Sequence, residues 1–131
     1  MSGMAFILAF IENLKEHLSN QLMLRRAGYD VVATDDPAYF SQVVTLVPVD
    51  LLLMVDAAGA RLLQVIRWEH LSEAPAVVII DGFCPELAAG RQSPATILRR
   101  REGQGRHLLH TVAWQTRTGA LPEMMLSYSP A

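Results

Sequence analysis

The apolar run DLLLMVDAAG, residues 50–59, delivers one carboxylate, Asp56, to the end of what reads as a buried strand. A carboxylate there is either a working group, able to hold an ion, or the residue that starts the next turn. A second concentration of chemistry is the basic cluster Arg99, Arg100, Arg101 and Arg106, with His107 and His110 beside it. Such a cluster suits phosphate groups or an acidic partner, and its plain alternative is a solvated loop. No aromatic residue interleaves the arginines, so stacking of single-stranded nucleic acid is not expected. On a strand, His107 and His110 would point to opposite faces, and no cysteine or carboxylate nearby completes a metal-ligand set. Cys84, followed by Pro85, has no identifiable base or orienting partner and reads as a packed or idle thiol. The glycines at 82, 90, 103 and 105 form no dinucleotide fingerprint, because the first strand-to-helix stretch, ILAFIENLKEH, has no glycine.

These groups need a scaffold. The chain has 131 residues, 51% of them hydrophobic and 18% charged, which favours one folded domain over disorder. A net charge of −2 provides no strong field toward nucleic acid or a membrane surface. A single cysteine excludes an internal disulfide and fits a reducing cytosol. No run approaches the roughly 20 apolar residues of a membrane helix. Residues 4–11 are apolar but short and lack a basic flank, so they do not read as a signal peptide. The expectation is a soluble, cytoplasmic domain.

MAFILAFI (4–11) has the continuous apolar pattern of a strand covered on both faces. A helix follows, with Asn13 and Glu16 as an N-terminal capping pair, Leu14, Leu18 and Leu22 on its inner face, and Gly28 as its stop. YDVVAT (29–34) is the second strand. Asp36-Pro37 then opens a helix with Phe40, Val43, Val44 and Val47 at helical spacing, closed by Pro48. LLLMV (51–55) is the third strand, residues 57–71 form the third helix with Leu62, Leu63 and Ile66 inward, and AVVII (76–80) is the fourth strand. Met54 and Trp68 belong in or near the core. Beyond residue 80 the pattern weakens. DGFCPELAAGRQSP and ILRRREGQGR read as irregular, HLLHTVAW (107–114) as the fifth strand, and the tail as a short helix near Met124. Met124, Met125 and Tyr128 could cover the core or form a contact patch. Strands alternating with helices at these spacings indicate right-handed crossovers and a parallel sheet.

LMLRRAGYDVVATDDPAYF (22–40), followed by VDLLLMV (49–55), resembles the response-regulator receiver domain of two-component signalling. The resemblance is clear over residues 5–80 and vague over 81–131, within a single domain spanning 1–131. It implies a flavodoxin-like three-layer α/β sandwich with a parallel five-stranded sheet. In that family two acidic residues after strand one hold Mg²⁺, an aspartate ending strand three takes the phosphoryl group, and a hydroxyl and a lysine on strands four and five grip the phosphate. Here the acidic pair falls on Ile11 and Glu12, the acceptor position on Val55 with Asp56 one residue late, and the hydroxyl position on Ile80 with Asp81 next. A one-residue slip on a strand reverses the side chain's direction unless the backbone bulges. The chain's single lysine, Lys15, lies in the first helix and cannot end strand five. Arginine is no equivalent of that lysine.

The resemblance therefore implies a pseudo-receiver. Such a module is non-enzymatic, needs no cofactor, and acts by contact with a signalling protein or with a second copy of itself. The fourth-helix region, within residues 81–106, and the C-terminus are expected to be irregular. Two alternatives stand beside this expectation. One is an atypical phospho-accepting receiver using Asp56, with Glu12 as a Mg²⁺ ligand. The other is a flavodoxin-like domain binding a small molecule at the carboxyl ends of its strands.

Overall fold

The computed structural model describes residues 5–68, 71, 75–82 and 95–116. Five strands, β1 (Phe6–Phe10), β2 (Asp30–Thr34), β3 (Leu51–Val55), β4 (Ala76–Ile80) and β5 (Ala95–Leu98), form one sheet in the order β2-β1-β3-β4-β5. All pairings are parallel. This is the flavodoxin-like order, with its crevice at the carboxyl ends of the strands. The described helices are α1 (Leu18–Arg26), α2 (Pro37–Leu46), α3 (Asp56–Leu62), extended by a 3-10 turn at Leu63–Val65, and α4 (Gly105–Thr116).

Alternation along each strand divides the core in two. Ile7, Ala9, Leu51, Leu53, Val55, Val78 and Ile80 face α1 and α4, where Leu24, Leu108 and Val112 cover them. Leu8, Phe10, Leu52, Met54, Val77 and Ile79 face α2 and α3, beneath Phe40, Val44, Ala60 and Leu63. Both faces of the central strands are therefore dry, which is why β3 and β4 read as unbroken apolar runs. Phe10 and Phe40 meet edge to face, centroids 5.9 Å apart. At the amino edge, the Asp50 carboxylate accepts the Phe6 N–H at 2.7 Å, and its carbonyl accepts from Ala76 at 3.1 Å.

The first four strands, the second helix and the inward Leu62, Leu63, Ile66, Met54 and Trp68 lie as the sequence suggested. Asp36 caps α2 by accepting from the Ala38 N–H at 3.0 Å, with Pro37 at the first helical position. Three expectations need correction. HLLHTVAW is not a strand: it lies within α4, and β5 is the earlier ATIL. Leu108 and Val112, one helical turn apart, are fully buried against the sheet, and that spacing fits a helix face as well as a strand. Leu14 packs against the core from the turn before α1, but Leu18 and Leu22 do not form the inner face of that helix. Leu18 and Leu22 are 50% and 40% exposed, while His17, Asn20, Gln21 and Leu24 are buried. Asn13 and Glu16 do bond each other, but one turn before α1 begins. The third helix is also shorter than 57–71, since Ile66 has extended backbone.

Residues 83–94, where a receiver places its fourth helix, fall outside the described residues, as do Cys84, Met124, Met125 and Tyr128. Among the described residues no helix is long and apolar enough to cross a membrane.

Candidate functional site

Strands β3, β4 and β5 run in register and stop together, with Val55 paired to Ile80 and Ile80 to Leu98. The next residues are Asp56, Asp81 and the pair Arg99-Arg100, so the topology gathers two acids and two bases at one carboxyl edge. The Asp81 N–H donates to the Leu98 carbonyl at 2.7 Å, which carries the ladder one residue further. Asp56 and Asp81 have φ of 63° and 56°, and among the described residues they alone have positive φ without being glycine. An extended Asp56 would share the face of Met54, toward α2 and α3. The left-handed turn instead takes its carboxylate off that face and over the sheet edge. Aspartate tolerates this conformation better than most residues, yet it is still disfavoured. Gly82 permits the crowding: a Cβ there would lie 3.0 Å from the Asp56 carbonyl oxygen and 2.8 Å from Ile79 Cγ2.

Both aspartates converge on Arg100. Its guanidinium reaches Asp56 Oδ1 at 3.0 Å and Asp81 Oδ2 at 3.0 Å through Nη2, and donates to Asp81 again from Nε at 3.2 Å. Glu16, from the turn before α1, completes the ring with Oε1 at 3.5 Å from Nη1. The bond to Asp81, then the charges of Asp56 and Asp81, hold the guanidinium above its ordinary pKa, with Glu16 adding a smaller push. The side chains are 36–55% exposed, and ion pairs open to water to this degree are individually weak. Global stability is thus a weak reason for placing two disfavoured backbone turns against one arginine. Strain of this kind concentrates at functional sites.

The turn carrying Arg100 is pinned from several sides. Glu102 accepts the Arg99 N–H at 2.9 Å, and the Gly103 N–H returns to the Arg99 carbonyl at 2.9 Å. Buried Asn20 of α1 donates to the Gly103 carbonyl at 3.1 Å and accepts from the Gly105 N–H at 3.3 Å. Gly103 lies so close to β4 that a Cβ would come within 2.5 Å of Ile80 Cγ2. Outside this turn lies an open cleft of about 670 Å³, lined by Arg99, Arg100, Arg101, Glu102 and Gln104.

The expected residues are therefore distributed unevenly. Asp56 and Arg100 meet, with Asp81 as a third member. Glu12 is exposed and is not one of the acids on Arg100; Glu16 is. Arg99 and Arg101 share the cleft, while Arg106 lies in the first turn of α4. His107 and His110 sit one helical turn apart on α4, rather than on opposite faces of a strand. Among the described residues, no group of three or more His, Cys, Asp or Glu side chains is placed to hold a metal ion. The acids at the carboxyl edge face the Arg100 guanidinium. Sequence reasoning treated Glu16 as a cap and overlooked Asn20. The signal that could have found the site was ATIL, a short β-branched run ending directly at the arginines.

No protein-family model and no curated protein matches this chain.

Proposed function

We propose that the chain is a non-catalytic, receiver-like signalling module of the cytoplasm, a pseudo-receiver that acts by protein contact rather than aspartyl phosphorylation. The observation supporting this reading is the engagement of Asp56 by Arg100, a residue following β5 at the edge where a receiver carries its lysine. A receiver aspartate must reach a phosphodonor beside a hard cation, whereas here the same guanidinium binds Asp56, Asp81 and Glu16 together. The ion cluster ties the ends of β3 and β4 to the β5 turn and to the turn before α1. In this reading it holds by permanent charge what a phosphoryl group holds transiently in a receiver. The surface presented to a partner is the one built on β4 and β5.

The test is incubation with acetyl phosphate and Mg²⁺, followed by intact-mass measurement. The expected result is no adduct. A stable gain of about 80 Da, one phosphoryl group, that disappears in Asp56→Asn would sink this reading in favour of an atypical phospho-accepting receiver.

A further inference from the structure

The geometry points to a second feature at the same edge: a binding site for a compact phosphate-bearing anion in the cleft outside the β5–α4 turn, held chiefly by Arg99 and Arg101. The cleft's volume, about 670 Å³, lies within the range of small-molecule sites. It lies at the carboxyl edge of the sheet, beyond the end of the edge strand β5. Arg100 has its charge shared among three carboxylates. Arg99 and Arg101 are exposed, and neither guanidinium has an ion-pair or hydrogen-bond partner among the described residues. Two guanidiniums without a partner among the described residues line one cleft and offer forked donors to phosphate oxygens, the geometry that makes arginine the preferred residue for such groups.

The turn is also preorganised. Glu102 accepts the Arg99 N–H at 2.9 Å, which fixes the start of the turn. Asn20 fixes Gly103 and Gly105 from beneath, so little backbone ordering remains for a ligand to impose. Among the described residues the lining is charged or amide-bearing, with no aromatic or aliphatic member. That composition selects compact anions, such as pyrophosphate or a small phosphorylated metabolite, over nucleotides and lipids. A site for anions here does not depend on the signalling role proposed above.

Calorimetric titration of the full chain with sodium pyrophosphate, at constant ionic strength, tests the inference. Saturable binding is expected, weakened about tenfold or more in R99Q/R101Q and changed less than about twofold in R61Q/R67Q, which removes the same charge elsewhere on the surface. Amide resonances of residues 99–104 should move during the titration of the unmodified chain, a readout independent of whether any variant folds. Equal weakening in both double variants would reduce the effect to net charge and overturn the site. Absence of saturable heat, or shifts confined to other segments, would overturn it as well. ADP binding about tenfold tighter than pyrophosphate would overturn the restriction to compact anions.

Discussion

A single guanidinium organises the carboxyl edge of this sheet. Arg100 is exposed, so its ion pairs are weak one at a time, but removing it leaves Asp56, Asp81 and Glu16 facing one another with no cation between them. Arg100→Gln should therefore lower the melting temperature at low ionic strength. The loss should shrink in about 1 M salt, where the screening length falls to about 3 Å. Thermal melts at the two salt concentrations check this, and a loss independent of salt would mean that packing rather than charge is involved. The raised pKa of Arg100 makes pH a poor handle: its share of stability is fully present below the unfolded value and is lost only as pH rises through the still higher folded value. Arg100→Lys should rescue only in part, since a point charge cannot fork to Asp81 and reach Asp56 at once. The backbone at Asp81 gives a separate prediction. Both Asp81→Gly and Asp81→Ala delete the carboxylate, but only alanine carries a Cβ into a φ of 56°. Glycine should be at least as stable, by up to about 1 kcal/mol once its greater unfolded-state entropy is counted. Denaturant titration with alanine the more stable would contradict the left-handed turn.

The elements matter through where they stop. β3, β4 and β5 end in register, and the turn after β5 is anchored to α1 by one buried amide. Asn20 satisfies a carbonyl and an N–H that would otherwise lose their partners at the α1–α4 seam. Asn20→Ala should destabilise by about 1–3 kcal/mol, the range for buried polar groups left unpaired. It should also raise amide exchange in residues 99–105 more than elsewhere. Uniform exchange across the chain would show that the turn holds without this clamp. The short β5 shows how an element can be overlooked. ATIL offers four residues, too few for alternation to register, while HLLHTVAW has leucine, valine and tryptophan in a run long enough to attract a strand assignment.

Across the whole molecule the two cores share the sheet, so a defect in a central strand should be felt on both sides. Leu52 is fully buried on β3 between β1 and β4, under the α2 and α3 face. Leu52→Ala should cost about 2–5 kcal/mol in urea unfolding. The transition should stay single by fluorescence and by circular dichroism, as expected of one cooperative unit. A loss below about 1 kcal/mol would contradict the central placement of β3.

What the sequence determined by itself was the scaffold up to residue 80, because strands buried on both faces must be apolar throughout and helix caps must be polar at particular positions. Asp36-Pro37, LLLMV and AVVII carry those constraints locally, and the parallel order follows from their alternation with helices. The site was legible only in pieces. Asp56 and the arginines could be picked out as residues, but their meeting could not, since Asp56 and Arg100 are 44 positions apart and joined only by the pairing of β3, β4 and β5. A one-residue slip at Asp56 argues against a working carboxylate if the strand simply continues. The left-handed turn at Asp56, crowded against Gly82 and matched at Asp81, brings the carboxylate onto Arg100, and no local signal announces it. Tertiary structure also decided the role of Glu16 and the inner face of α1, where buried Asn20 holds a turn that lies 83 residues away in the chain.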